Sequence, residues 1–146
     1  MSIEQSFVKK LSELNASSLS IQTLSNWLAF NQASSESLSK AWCRELVHAK
    51  PDRKITLLYL ANDVIQQSRK KGNMYKDQMG KYLVPVFTDM KRAVADPKTL
   101  EKAGRLCTIW QERSIYDPQF IAELQGILGG RHGAATGDVY TPSRSD

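Results

Sequence analysis

Residues 53–68 read RKITLLYLANDVIQQS, and this stretch decides the fold because it is apolar on more than one side of a helix. Its apolar positions fall at helical spacing in two stripes, Leu57-Leu60-Ala61-Val64 and Leu58-Ile65. A helix that is apolar on more than one side is usually buried at the centre of a domain. The stretch therefore predicts a central helix with other helices packed around it.

The same helix also carries polar side chains in one row, which is unusual for a buried element. They stand at i, i+3, i+4 and i+7, and we call them the polar row: Tyr59, Asn62, Asp63 and Gln66. A buried polar group without a partner costs about 1–3 kcal/mol, so the row needs partners. One hypothesis is that these groups cap or bridge neighbouring helices. The other is that they form a groove floor, offering a carboxylate, an amide and an aromatic ring to an extended peptide.

The rest of the chain has the same helical periodicity, without an alternating strand pattern. The predicted helices span about 3–14, 18–31, 35–48, 51–70, 75–81, 83–95, 97–113 and 118–128. Eight helices joined by short breaks predict an all-α array over residues 1–128. Residues 129–146 hold four of the eight glycines and few large apolar residues, which predicts a flexible tail or linker.

Composition places the chain among ordinary single-domain globular proteins. It has 146 residues, 41% of them hydrophobic, and 20 basic against 15 acidic residues give a net charge of +5. These values exclude a disordered chain and a disulfide scaffold. The two cysteines, Cys43 and Cys107, are predicted to be reduced, buried thiols of a cytosolic or nuclear protein. Neither a signal peptide nor a membrane span is expected.

The predicted seventh helix supplies positive charge. Arg105 borders its apolar face, to which Trp110 belongs as a predicted core residue. From there the Arg105 guanidinium can reach a rim and form a bidentate pair with a phosphate. Arg113, two turns further on, is a second candidate. The alternative for either arginine is a surface ion pair with Glu101 or Glu112.

Motifs that carry catalysis are missing from the sequence. It has no Gly-rich phosphate loop, no His-Glu-x-x-His and no Gly-x-Ser-x-Gly. His48 and His132 have no partners at the spacing of metal ligands. We therefore expect a protein that is not an enzyme and that needs no metal and no cofactor.

Four segments together resemble one known family. Residues 53–68 resemble the signature helix of the CTD-interacting domain (CID) family, and RLCTIWQER at 105–113 is similar to its seventh-helix motif. KKLSEL at 9–14 and SIQTLSNWL at 20–28 are similar to the first two helices of one branch, the regulation of nuclear pre-mRNA domain-containing proteins. The resemblance covers about residues 1–128. It implies a right-handed superhelix of eight helices, related to the ENTH and VHS folds.

This resemblance also implies a function. Such domains bind the phosphorylated heptad-repeat C-terminal domain of RNA polymerase II and act as non-catalytic scaffolds in transcription and pre-mRNA 3′-end processing. A preference for phosphate on the second-position serine of the heptad is expected, as are a nuclear location and dimerisation through a region outside this chain.

Individual residue roles follow from matching the motifs. Asp63 corresponds to the family aspartate that takes the hydroxyl of the heptad tyrosine, Asn62 to an asparagine that bonds the peptide backbone, and Tyr59 to a groove aromatic. Gln66 belongs to the same row, and Gln22 in the second helix is expected to line the opposite wall.

For the phosphate, the resemblance implies contacts from the seventh helix. Arg105 corresponds to the arginine that holds the phosphate on the second-position serine, and Arg113 to a further basic residue.

Two other functions are compatible with a helical array. The first is a trafficking adaptor of the VHS or ENTH type that binds sorting peptides or lipid headgroups. A basic amphipathic start would favour it, but residues 1–14 hold two lysines against two glutamates. The second is weak RNA contact through the basic cluster Arg69, Lys70 and Lys71.

Overall fold

The structure is a computed structural model that describes residues 1–129. Over these residues it contains eight α-helices, two short 3₁₀ turns and no strand, which confirms the all-α class and the number of helices. The predicted tail, 129–146, lies outside the described residues except for Gly129. The helices are α1 (Ile3–Ser12), α2 (Ser18–Phe30), α3 (Ser35–His48), α4 (Pro51–Gln67), α5 (Met74–Gly80), α6 (Leu83–Ala93), α7 (Pro97–Glu112) and α8 (Pro118–Ile127).

Helix α4 lies at the centre of the array, as its two apolar stripes predict. It packs against α2, α3, α5, α6 and α7. Both stripes belong to one hydrophobic core, and Leu58, Leu60 and Val64 are completely buried in it. The largest buried side chains around them are Phe7, Trp42, Tyr75, Phe87 and Trp110.

Helix α4 ends three residues earlier than predicted. It stops at Gln67, and residues 69–71 form a tighter 3₁₀ turn in which Lys71 N–H donates to the Ser68 carbonyl at 2.9 Å. Gly72 and Asn73 then both adopt the left-handed conformation, with φ values of 112° and 62°. These left-handed residues end the 3₁₀ turn, because a left-handed residue turns the chain away from the helical path.

Arg53, near the start of α4, fixes the end of α1. Its guanidinium donates hydrogen bonds to the carbonyl oxygens of Leu14 at 2.8 Å and Leu11 at 2.9 Å. Leu11 belongs to the last turn of α1 and Leu14 lies two residues beyond its end, where backbone acceptors lack the regular helical hydrogen bond. A cation is also favoured there by the helix dipole. Arg53 therefore holds α1 against the first turns of α4.

Lys54, the next residue, holds the end of α3 against α4 and also forms a buried ion pair. Its ammonium donates to the carbonyl oxygens of Leu46 at 2.9 Å and Val47 at 2.8 Å, near the end of α3. It also lies 2.9 Å from Asp89 Oδ2 on α6, and both side chains are about 95% buried or more. Arg92 Nη2 contacts the other Asp89 oxygen at 3.1 Å. One side chain of α4 thus joins three helices.

The cysteines differ in burial. Cys107 is fully buried, as predicted, and burial raises the pKa of its thiol to about 12. Cys43 is only half-buried, so the prediction of two buried thiols is wrong for this residue, which lies at the edge of the core. Both cysteines are free.

Removing the Lys54 ammonium should destabilise the domain strongly. In Lys54→Met the Asp89 carboxylate stays buried with only the exposed Arg92 beside it, and we expect a loss of about 3–5 kcal/mol in the free energy of unfolding. Urea denaturation followed by circular dichroism measures this loss. The double variant Lys54→Met/Asp89→Leu should recover a large part of it, because no buried charge remains. Equal stability of Lys54→Met and the parent chain would contradict this role.

Candidate functional site

The polar row lies on the side of α4 that the packing leaves partly open. All of its members, Tyr59, Asn62, Asp63 and Gln66, are half-buried. Asp63 is nine residues from Lys54, which at about 100° per residue brings the two side chains to opposite sides of the helix. Since Lys54 points into the contacts with α3 and α6, Asp63 points away from them.

Helix α7 runs beside the polar row in the same direction as α4. Three residue pairs, two of them hydrogen-bonded, follow one another in chain order along both helices. The Arg105 charge acts on Tyr59, the Trp110 indole reaches Asn62, and Arg113 reaches Gln66. Because all three pairs advance together, α4 and α7 are parallel, and both predicted arginines lie on the same side of the molecule as the polar row.

One chain of hydrogen bonds connects the two helices. Trp110 Nε1 donates to Asn62 Oδ1 at 2.8 Å, and Gln66 Nε2 donates to the same oxygen at 2.8 Å. Arg113 Nη1 in turn donates to Gln66 Oε1. Asn62 and Gln66 therefore bridge helices, as the first of the two sequence hypotheses predicts.

The other two members of the polar row lack such bridges. The Asp63 carboxylate forms no hydrogen bond or ion pair with any of residues 1–129, so its oxygens can accept from a ligand. Burial raises the pKa of the Tyr59 phenol, and the nearby Arg105 guanidinium opposes that rise. The row is thus divided between residues that hold α7 and residues whose polar atoms form no hydrogen bond with residues 1–129.

The two arginines differ in their surroundings. Arg105 is exposed on α7, close enough to Tyr59 for its charge to act on the phenol. Arg113 caps the C-terminal end of α7 and is exposed. Its side chain pairs with Gln66, so the expected alternative of an ion pair with Glu112 is wrong among the described residues.

Gln22 is not brought into contact with the polar row. It is exposed on α2 and forms no hydrogen bond with another described residue. Helix α2 does run along α4, since Gln67 Nε2 donates to Ser25 Oγ at 2.6 Å and to Asn26 Oδ1 at 3.0 Å. Gln22 lies one turn before Asn26, and its role in an opposite wall stays a prediction.

Trp110 is the residue of this site that sequence reasoning missed. Its ring is buried, as predicted for a core residue, but its N–H donates to the polar row. A buried tryptophan N–H needs an acceptor, so a tryptophan predicted to lie in the core already indicates that such a hydrogen bond exists. The sequence does not reveal which acceptor is used: the N–H of Trp42 donates instead to the backbone carbonyl of Leu57, at 2.8 Å.

Residues 1–129 offer neither a metal-binding cluster nor a membrane-spanning helix. They contain no group of histidine, cysteine, aspartate and glutamate side chains that could hold a metal ion. None of the helices in this range has the length and apolar character needed to cross a bilayer.

The pKa of Tyr59 should report the position of Arg105. A nearby positive charge favours the phenolate and lowers the pKa, so Arg105→Gln should raise the Tyr59 pKa further above its usual range. The matched variant Arg113→Gln should leave it unchanged, because Arg113 reaches Gln66 instead. An alkaline titration of tyrosine ring carbons by NMR measures both values. Equal shifts in the two variants would show that Arg105 does not lie beside Tyr59.

Fold and site together define a class of protein: a small all-α domain whose central helix presents a half-buried polar row, flanked by arginines of a parallel helix. The sequence profile of the CID domain family matches residues 5–124. The chain belongs to the CID family.

Named relatives from one branch of that family are similar to this chain. The chain is 41% identical over 127 residues to regulation of nuclear pre-mRNA domain-containing protein 1A of Bos taurus, which covers 87% of this chain and 40% of the relative. It is 44% identical over 122 residues to regulation of nuclear pre-mRNA domain-containing protein 1B of Mus musculus. That match covers 84% of this chain and 37% of the relative. The chain thus spans about 40% or less of the length of these relatives.

Solved structures agree on the fold. The CTD-interacting domain of Seb1 from S. pombe superimposes with a TM-score of 0.74 at 18% identity, covering 88% of this chain and 97% of that one. A CID of Ctk3 superimposes with a TM-score of 0.77 at 14% identity, covering 87% and 93%. These likenesses confirm the helical architecture that the sequence resemblance implies.

Proposed function

We propose that this chain is a non-catalytic module that binds the phosphorylated heptad-repeat C-terminal domain of RNA polymerase II. Membership of the CID family supports this proposal, as does the name of the Seb1 domain, which is CTD-interacting. The observation that carries it is the placement of Asp63 and Arg105 on two parallel helices, at one partly open face. A peptide lying on that face meets an acceptor and a cation together.

Asp63 accepts the hydroxyl of the heptad tyrosine in this proposal. Its carboxylate has no internal partner among the described residues, and a hydrogen bond to an ionised acceptor is about twice as strong as a neutral one. Tyr59, one turn earlier, supplies an aromatic surface, and Asn62 bonds the peptide backbone. Gln22 on α2 is the proposed contact from the opposite wall.

Arg105 holds the phosphate on the second-position serine. Its guanidinium is exposed, and its fork of N–H groups matches two phosphate oxygens. Arg113 provides a second positive charge two turns further along α7 and is held there by Gln66. Together the arginines give phosphorylated peptides an advantage over unmodified ones.

Binding to one heptad should be weak. One charge-assisted bidentate contact contributes about 1.5–3 kcal/mol, and the other contacts are neutral hydrogen bonds and ring packing. We expect a roughly micromolar dissociation constant for each repeat, which is about 8 kcal/mol in total, so the phosphate contact supplies only part of it. Several repeats in one tail raise the overall avidity.

The proposed setting is the nucleus, where the module acts as a scaffold in transcription and pre-mRNA 3′-end processing. The names of its relatives, regulators of nuclear pre-mRNA, support this setting. The comparisons do not favour the trafficking-adaptor alternative. Dimerisation, and RNA contact through the exposed turn Arg69–Lys71, stay predictions.

Arg105→Ala should remove most of the preference for phosphate. We expect the parent chain to bind a two-repeat heptad peptide about tenfold more tightly when the second-position serine is phosphorylated, because the guanidinium–phosphate pair forms only then. Fluorescence anisotropy with labelled peptides measures both affinities. In Arg105→Ala the two values should approach each other.

A matched control is Arg44→Ala, which removes the same charge elsewhere. Arg44 is exposed on α3, which contacts Lys54 and therefore lies on the side of α4 opposite to Asp63. Among the described residues, the Arg44 side chain forms an ion pair only with the neighbouring Glu45. This variant should keep the phosphate preference. Equal affinity of the parent chain for phosphorylated and unmodified peptides would show that the module does not read phosphate.

Asp63→Asn should weaken binding of both peptides by about the same factor. The substitution keeps the size of the side chain but replaces a charged acceptor by a neutral one, for an expected loss of about three- to tenfold. Because the loss concerns the tyrosine hydroxyl, a peptide with phenylalanine in place of tyrosine should bind the parent chain and the variant equally. A loss confined to the phosphorylated peptide would assign Asp63 a different role.

A further inference from the structure

We propose that Trp110 and Gln66 are positioning residues that hold Asn62 with its amide NH₂ group alone available to the ligand, so that Asn62 recognises a carbonyl oxygen. This inference rests on the proposed function, since it names the chemistry that one contact of that site selects. An asparagine can in principle donate or accept, and the hydrogen bonds to α7 remove this ambiguity.

The direction of each hydrogen bond follows from donor chemistry. An indole N–H can only donate, so the Asn62 atom at 2.8 Å from Trp110 Nε1 must be the oxygen. A guanidinium can only donate, so Arg113 fixes the oxygen of Gln66 in the same way. Gln66 must then turn its NH₂ group to Asn62, whose oxygen it reaches at 2.8 Å. Both amide orientations are therefore determined by residues of α7.

Trp110 itself cannot turn away from Asn62. Its ring is completely buried and lies between two aromatic neighbours. The Tyr116 ring meets it edge-on at a centroid distance of 5.6 Å, and the Phe87 ring is tilted by 50° at 6.4 Å. Tyr116 is fixed in turn, because its hydroxyl donates to the Lys76 carbonyl at 2.7 Å. A rigid donor thus faces a half-buried acceptor.

Selection of a carbonyl has a consequence for the ligand. With two donors already on Asn62 Oδ1, a peptide N–H gains little there, whereas the Nδ2 group can donate to a peptide carbonyl. Carbonyl and N–H groups alternate along a backbone. Fixing one carbonyl at Asn62 therefore sets the register of the peptide relative to the acceptor Asp63 and the cation Arg105.

A double-mutant cycle separates positioning from packing. Trp110→Phe removes the N–H and keeps most of the ring, so it should weaken binding of the phosphorylated heptad peptide about three- to tenfold in isothermal titration. In an Asn62→Ala background the same substitution should change affinity less than twofold, because the residue that it positions is gone. The same loss in both backgrounds would overturn the inference.

The matched control is Trp42→Phe. This substitution removes the N–H of the other fully buried tryptophan, whose acceptor is a backbone carbonyl of α4 rather than the polar row. It should leave peptide affinity unchanged. If Trp42→Phe weakens binding as much as Trp110→Phe, loss of packing explains both effects and the positioning role is wrong.

A second variant avoids the risk that Trp110→Phe fails to fold. Asn62→Asp keeps an oxygen for both internal donors, so thermal stability should be retained, but it replaces the outward donor by an acceptor. Affinity for the unphosphorylated peptide, which carries no phosphate for the new charge to repel, should fall at least tenfold. Unchanged affinity would mean that Asn62 does not donate to the ligand.

The two proposals fail in different ways. If the parent chain binds no heptad peptide, phosphorylated or not, the proposed function is wrong and the inference is wrong with it. If the parent chain binds while Trp110→Phe and Asn62→Asp bind equally well, only the inference is overturned.

Discussion

The buried ammonium of Lys54 is the interaction on which the rest of the arrangement depends. A charge taken out of water is tolerated only where partners replace its hydration. Lys54 finds two carbonyl oxygens near the end of α3 and the Asp89 carboxylate on α6. These partners come from two other helices, so α4 cannot rotate about its axis without leaving the charge unpaired. The neighbouring Arg53 adds a second constraint by holding the end of α1.

Once the rotation of α4 is fixed, so is the face that it leaves partly open. Asp63 lies opposite Lys54, and the remaining members of the polar row flank it over two turns. The same side of α4 receives α7, which brings Arg105 and Arg113 into the site. Buried residues thus determine which side chains of α4 lie on the partly open face. This is why a structural ion pair and a candidate binding face belong to the same helix.

Much of the fold and part of the candidate site could be predicted from the sequence, for physical reasons. Helical periodicity reports which residues share a face, so the central position of α4 and the polar row could be predicted from spacing alone. Periodicity does not report which helix packs against that face, and so the hydrogen bond from Trp110 to Asn62 could not be predicted. The end of α4 was predicted three residues late because basic residues 69–71 are compatible with an α-helix, and their residue types do not distinguish the 3₁₀ turn that they form from a further α-helical turn. The contacts of Gln22 were implied only by resemblance, and the structure leaves it unattached to the row.

The two sequence hypotheses for the polar row prove to be complementary. Asn62 accepts from Gln66 and Trp110, and Gln66 accepts from Arg113, which makes a polar row tolerable on a central helix. Their satisfaction does not close the site, because the Asn62 amide keeps free donor capacity beside the Asp63 carboxylate, which has no internal partner among residues 1–129. A row of four bridging groups would only join helices, and a row of four unpartnered groups would destabilise the core. The observed division joins α4 to α7 through one pair and leaves the Asp63 carboxylate and the Tyr59 hydroxyl without a hydrogen-bond partner among residues 1–129, held in place before any ligand arrives, and such pre-organisation lowers the cost of binding.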